Sequence, residues 1–331
     1  ARSDVTRARA AALGGADLGV VIGAPLDFRL GYGVFGGRDG AAPARVVHIV
    51  DAPGRLGGTA PVAASAAGDL TLVLDGLVEA WTATGKASAY QRWCEHLQAA
   101  VRTASQSDRA LLRASGDTVH PVRVYGELLR VLDDDAVVIG DGGDFVSYAG
   151  KYVEPARPGG WLDPGPYGCL GTGLGYAIGA RLARPDAQVV LLLGDGAAGF
   201  SLMDVDTLVR HKLPVVMIVG NNGVWGLEKH PMRRLYGYDV AADLAPETRY
   251  DDVVRALGGA GETVERCDDI GPALARAFAS DVPYLVNVLT DPEATRRRCT
   301  RAARTAREHR PRTRAWAARA RGTARGPRRR A

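Results

Sequence analysis

Two uninterrupted apolar runs, 188–193 (QVVLLL) and 214–219 (PVVMIV), are the strongest pattern in the chain. Runs of this kind suit parallel strands buried on both faces. Between them, 200–212 is apolar at 202, 205, 208 and 209, a helical period. A strand–helix–strand unit follows. Shorter buried-type strands are predicted at 17–22, 45–50 and 136–140, with the Gly/Arg/Ala-rich stretch between the first two read as loop. Helix-like patterns cover 69–81, leading to Trp81, and 87–114, marked by Trp93, Leu97, Val101 and Leu111. Ser115-Gly116-Asp117 breaks the second pattern, and a new helix opens at His120-Pro121 and runs to about Leu132. No internal repeat is visible. The repeated β-α alternation in 117–294, at least four units, predicts an α/β fold with a doubly wound parallel sheet.

The polar residues at the strand ends carry the chemistry. Gly194-Asp195-Gly196 follows the first run, and Asn221-Asn222 follows the second after 24 intervening residues. Ligands of open α/β sheets bind at the carboxyl ends of the strands. An Asp oxygen, an Asn amide oxygen and a backbone carbonyl make a hard oxygen set suited to Mg²⁺ shared with phosphates. Either motif alone is ordinary turn chemistry, since Gly accepts positive φ and Asp and Asn favour turns. Their joint occurrence in register within one β-α-β unit favours the functional reading.

GDG followed at this distance by NN resembles the diphosphate-and-metal motif of thiamine-diphosphate (ThDP) enzymes. The likeness extends to other segments. GCLGTGLGYAIGA at 168–180 is similar to the glycine-rich turn and helix of the acetolactate synthase-like branch. YDDVVRALG at 250–258 and DVPYLVNVL at 281–289 resemble its later amphipathic helix and last strand. Residues 16–29 and 45–51 look like the second half of its Rossmann-like central domain. The resemblance covers roughly 4–294. It implies a partial central domain at 1–86, a helical linker at 87–116, a ThDP diphosphate-binding domain at 117–294 and an Arg-rich disordered tail at 295–331. On this reading the chain is the C-terminal part of a longer enzyme, a split-gene subunit or a disrupted gene product.

Carried over residue by residue, the resemblance assigns the metal to Asp195, Asn222 and the carbonyl of Val224. Gly196 and Ala197, with Gly194 before them, would present backbone N–H groups to the diphosphate, and Leu227 would add another. Leu170 matches the apolar wedge under the bent cofactor, and the Gly168 carbonyl would accept from the pyrimidine amino group. Gly143 and Asp144 match a cofactor-lining position; for Asp144 the backbone is the expected contact, because a carboxylate repels diphosphate, and Asp141 and Asp144 are equally readable as turn residues. Trp225 lines an acyl pocket or packs as core. Glu228 falls where some family decarboxylases have an acid/base carboxylate, or else is a surface residue paired with a nearby Lys. His230 reads as a capping or surface residue. Asp27 and Arg29 match the central-domain segment that contacts FAD in acetolactate synthases and other nucleotides in oxalyl-CoA decarboxylases; only the latter half of that domain is present, which counts against FAD.

The implied reaction is decarboxylation of a 2-oxo acid, pyruvate favoured, followed by carboligation. The alternatives are a 2-hydroxyacyl-CoA lyase or oxalyl-CoA decarboxylase-like fragment, or a non-catalytic fragment. The activating Glu of the family lies on a pyrimidine-binding domain that no segment here resembles, so a second copy or a partner chain carrying that domain is expected to complete the site.

Composition changes this picture in one place. Residues 295–331 hold 15 Arg and one Glu, a local charge of +14, which leaves 1–294 at −9 against the formal +5 of the whole chain. The tail has too little apolar surface to fold. It reads as a stretch translated in a shifted frame of a GC-rich gene; nucleic-acid binding is the lesser alternative. Cys94, Cys169, Cys267 and Cys299 are widely spaced and read as free thiols of a cytoplasmic protein. No apolar run approaches the ~20 residues of a membrane span, so no membrane partner is expected.

Overall fold

The computed structural model describes residues 6–37, 40, 42–58, 60–87 and 89–294; the Arg-rich tail and Cys299 lie outside these. The first elements are α1 (Thr6–Gly15), β1 (Leu18–Ile22), β2 (Arg45–Val50), β3 (Ala64–Ala67), α2 (Leu70–Ala83) and α3 (Gln91–Leu112). β1, β2 and β3 form a three-stranded parallel sheet in that order. Val46, Ile49 and Val50 of β2 are buried, and Phe35 packs so closely on Gly19 that a Cβ there would stand 2.6 Å from its ring. His48 is fully buried and satisfied. Gly57 N–H donates to its Nδ1 at 3.2 Å, which leaves Nε2 to donate to the Ala24 carbonyl at 3.0 Å. Asp69 caps α2 by accepting from Thr71 and Leu72 N–H.

The second sheet is built from α4 (Pro121–Leu128), β4 (Val137–Asp141), α5 (Gly143–Tyr152), β5 (Trp161–Leu162), α6 (Gly173–Ala183), β6 (Val189–Gly194), α7 (Asp195–Ser201), α8 (Val205–Arg210), β7 (Val216–Asn221), α9 (Gly226–Tyr236), α10 (Tyr250–Ala256), β8 (Ala260–Val264), α11 (Ile270–Phe278) and β9 (Tyr284–Leu289). Six strands run parallel in the order β5-β4-β6-β7-β9-β8. Side chains of β6 alternate between two cores: Val190 and Leu192 join Tyr125, Phe145 and Leu274 of α4, α5 and α11. Val189, Leu191 and Leu193 join Leu174, Leu208 and Val254 of α6, α8 and α10. Both faces are covered, which explains the unbroken apolar runs. The α/β expectation holds.

Some local expectations shift. The run at 214–219 becomes a strand two residues further on, so Asn221 is its last residue. The single helix expected at 200–212 is interrupted at Ser201, whose φ of −140° is not helical; α7 ends there, a 3-10 turn spans Leu202–Asp204, and α8 follows. β3 (ASAA) and β8 (AGETV) lack the apolar runs used to find the others.

α3 and α4 meet at Gly126, where an added Cβ would overlap the Leu112 carbonyl oxygen. Because the obstacle is backbone, Gly126→Ala is expected to cost about 2–3 kcal/mol. A urea midpoint unchanged from wild type would refute this seating of α3 on α4.

Candidate functional site

Three strand ends meet over the second sheet. β4 ends at Asp141, β6 at Gly194, and β7 at Asn221, and the three strands are neighbours in the order β4-β6-β7. Past β4, Gly142 and Gly143 take φ of +76° and +77°, a left-handed bend that an L side chain resists, and α5 starts at once. A Cβ on Gly142 would strike Leu170, and Ala197 lies 3.0 Å from the same point. Leu170 is thereby brought from the glycine-rich turn onto the β4 and β6 tips. No atom stands within 4 Å of where a Cβ on Gly143 would be, so backbone faces open space there.

Asp195 is the centre of the cluster. It is 4% exposed, and Gly196 N–H donates to its Oδ1 at 2.8 Å. Its Oδ2 accepts from Asn222 N–H at 3.1 Å and Gly223 N–H at 2.6 Å. The Gly196 amide, expected to face a diphosphate, is therefore engaged by the neighbouring carboxylate. Burial pushes the Asp195 carboxyl up to about 6, against the pull of the three N–H donors, and the nearby Asp144 carboxylate adds to the rise. No cationic side chain pairs with Asp195 among the described residues.

Asn222 completes the pair. Its Nδ2 donates to Asp144 Oδ2 at 3.1 Å and its Oδ1 accepts from Val224 N–H at 3.1 Å. Val224 is held by an antiparallel bridge to Asp243, flanked by Trp225 N–H to Ala242 O and Leu244 N–H to Gly223 O. Lys229, 6% exposed, pairs with Asp243 and lies 3.8 Å from Asp239, clamping α9 to the same segment. Trp225 packs its ring where a Gly196 Cβ would be and meets Phe200 edge-on at 6.4 Å. Of its two readings, packing is the one the contacts carry.

Asp141 and Asp144 are more than turn residues. Asp141 is fully buried, and accepts from Gly171 N–H at 3.0 Å and Gly173 N–H at 2.8 Å, so it pins the turn that carries Leu170 to the start of α6. Burial raises its pKa against those two donors. The signal in the sequence was an Asp at a strand end 30 residues before a glycine-rich turn, too long a separation for a local pattern to reveal. His230 is half-buried, its Nε2 has no partner among the described residues, and its proximity favours the ionised form of Asp144. It is not the surface residue expected.

Other predicted residues lie further from this cluster or stand open. Gly168 has φ of +63° with no atom near a would-be Cβ, and Leu227 is 42% exposed on the first turn of α9, where N–H groups have no acceptor inside the helix. Glu228 is exposed and makes no ion pair among the described residues, so the expected Lys partner is absent there. Arg29 closes its guanidinium on Asp27, with Nη2 to Oδ2 at 2.6 Å, so each neutralises the other.

The donor set fits a phosphate-bound divalent cation. One buried carboxylate without a cationic partner, one amide oxygen and one backbone segment converge over bare glycine backbone. No group of three His, Cys, Asp or Glu side chains is placed to hold a metal among the described residues. Nor is any helix among them long and apolar enough to cross a membrane.

Comparison with known proteins agrees with this geometry. The family described as thiamine pyrophosphate enzyme, C-terminal TPP binding domain, matches residues 141–288. The acetolactate synthase large subunit of Mycobacterium tuberculosis is 53% identical over 287 residues, covering 87% of this chain and 51% of that protein. The 2-hydroxyacyl-CoA lyase 2 of Bos taurus is 38% identical over 292 residues, covering 85% of this chain and 45% of the lyase. In fold, the chain resembles the Rhodococcus jostii RHA1 thiamine diphosphate-dependent 4-hydroxybenzoylformate decarboxylase, with a TM-score of 0.63, 24% identity, and coverage of 86% of this chain and 50% of that one. The chain spans about half the length of the curated relatives it matches. With the sequence motifs and the sheet in agreement, residues 141–288 carry the C-terminal TPP binding domain of the thiamine pyrophosphate enzymes, and the chain is acetolactate synthase-like in sequence over most of its length.

Proposed function

We propose that this chain is the C-terminal part of a ThDP- and Mg²⁺-dependent acetolactate synthase-like enzyme. Its substrate is a 2-oxo acid, pyruvate favoured, which is decarboxylated and joined to a second carbonyl compound. The observation that carries the reading is the buried Asp195 carboxylate, without a cationic partner among the described residues, beside Asn222 just past the adjacent strand end.

Bound ThDP would supply the electron sink for losing CO₂. The residues of this chain bind and orient. Asp195, the Asn222 amide oxygen and the Val224 carbonyl would hold Mg²⁺, and Gly143, Gly194, Ala197 and Leu227 would offer backbone to the diphosphate. Gly196 keeps Trp225 close and Asp144 holds Asn222. Leu170, pinned through Asp141, would support the cofactor from beneath, and the Gly168 carbonyl would accept from its amino group. The bare backbone at Gly143 supports this arrangement, because a side chain there would enter the open space, while Gly142 leaves room for Leu170 to close on the strand tips.

A second reading, cleavage of 2-hydroxyacyl-CoA, draws support from the lyase relatives at 34% and 38% identity. Assays with pyruvate and with a 2-hydroxyacyl-CoA separate the two. By family resemblance the Glu that activates the pyrimidine lies on a pyrimidine-binding domain that no segment of this sequence resembles, so a partner carrying that domain would supply it. The purified chain with pyruvate, ThDP and Mg²⁺ is therefore expected to bind cofactor weakly and turn over at background. Acetolactate or CO₂ release at an ordinary enzymatic rate, roughly 1 s⁻¹ or more, would refute the need for that domain.

A further inference from the structure

We propose that Asp144 is a positioning residue of the cation site: its carboxylate fixes which end of the Asn222 amide faces the metal. This rests on the function proposed above and names a determinant of that same site. Asp144 sits in the first turn of α5, beyond the β4 tip, and reaches past β6 to the loop after β7, where its Oδ2 is 3.1 Å from Asn222 Nδ2. An ionised carboxylate only accepts hydrogen bonds. It can therefore hold only the NH₂ end of the amide, and Oδ1 must turn the other way.

The arrangement is built closely. Oδ1 of Asn222 lies 3.1 Å from Val224 N–H, the backbone segment whose carbonyl completes the donor set. The Asn222 N–H is held by Asp195 Oδ2, so both the backbone and the side chain of Asn222 are oriented by carboxylates, one from each of two strand ends. Space for the Asp144 carboxylate is made by Gly226, where a Cβ would collide with it. The amide of a free Asn has two ends of nearly equal size and turns over readily. With Nδ2 toward the cation it would repel the metal, and only the Oδ1 orientation binds. Partners that orient metal ligands in this way are worth about 10–100-fold in metal affinity.

Asp144→Asn removes the acceptor-only character while keeping shape, since its own amide can meet Asn222 with either end. Cation uptake is read by calorimetric titration of Mg²⁺ into the full chain at fixed ThDP, which needs no turnover. The expected result is a Mg²⁺ dissociation constant raised about 10-fold or more. Combining Asp144→Asn with Asn222→Ala tests the route: the effect of the Asp144 change should vanish once the amide is gone. An equal loss in the Asn222→Ala background would overturn the proposal in favour of direct ligation, and no loss in the wild-type background would overturn it outright. Asp144→Ser, which also lacks the carboxylate, serves should the Asn variant not fold, and carries the same expectation. If the wild-type chain itself shows no Mg²⁺-dependent ThDP uptake, the functional reading falls, and this one with it.

Discussion

Asp195→Asn is expected to make the apo-protein more stable at neutral pH while abolishing Mg²⁺-dependent uptake of ThDP. The wild-type carboxyl is raised by burial to about 6, from an ordinary value of 3.8. The folded state therefore holds the proton more tightly than the unfolded chain. Proton-linked stability from this group is fully present below pH 3.8 and is lost as pH rises through about 6. At pH 7.5 the loss is complete, on the order of 3 kcal/mol from a shift of about 2 units. Asparagine removes that penalty but gives up one acceptor among the bonds to Gly196, Asn222 and Gly223, which returns about 1–2 kcal/mol. A net gain on the order of 1 kcal/mol at pH 7.5 follows, shrinking toward pH 4. Denaturant titrations at the two pH values check it; a variant less stable at pH 7.5 than at pH 4, relative to wild type, would refute the assignment. Calorimetry reads the other half. Loss of the one charged ligand should weaken cation-dependent ThDP uptake by about 100-fold or more. Binding by the variant as tight as wild type would remove Asp195 from the metal site.

Asp141→Ala is expected to destabilise the second sheet by about 3 kcal/mol. Its two oxygens take the N–H groups of Gly171 and Gly173, and Gly173 approaches so closely that a Cβ would stand 2.7 Å from Asp141 Cβ. Hydrogen bonds to a charged acceptor contribute about 1.5–3 kcal/mol each, and removing this one partner leaves two N–H donors without it. The raised pKa of Asp141 discounts the sum, because part of the bond energy offsets the burial of charge. The turn at 168–172 would loosen and Leu170 would leave Gly142. Urea unfolding measures the stability, and exchange of the Gly171 and Gly173 amide protons measures the turn. Protection of those two amides equal to wild type would rule out the pinning role.

The sheet was legible because its central strands are buried on both faces and so read as unbroken apolar runs; β6 and β7 are the clearest. β3 and β8 were not, since edge strands of alanine, glycine and mixed polar residues lack that pattern. Asp195 and Asn222 were legible through their spacing from one strand end to the next, and hydrogen bonds from Asn222 and Gly223 N–H to Asp195 bring the two together. The roles of Asp141, Asp144 and His230 were not. Each works through partners 30, 78 or more positions away, or across a packed helix pair, and no local periodicity encodes such a meeting. The nearby Lys expected to pair with Glu228 is likewise engaged elsewhere, since Lys229 meets Asp239 and Asp243 across the loop.

β4, β6 and β7 lie side by side as hydrogen-bonded neighbours. Adjacent strands in any sheet run about 4.8 Å apart, so the reach from the first tip to the third is roughly 10 Å. That span is a property of the backbone lattice, not of any side chain that stands on it. Evolution can exchange the groups on these three tips, and with them what is gripped, yet the ruler between them stays the same.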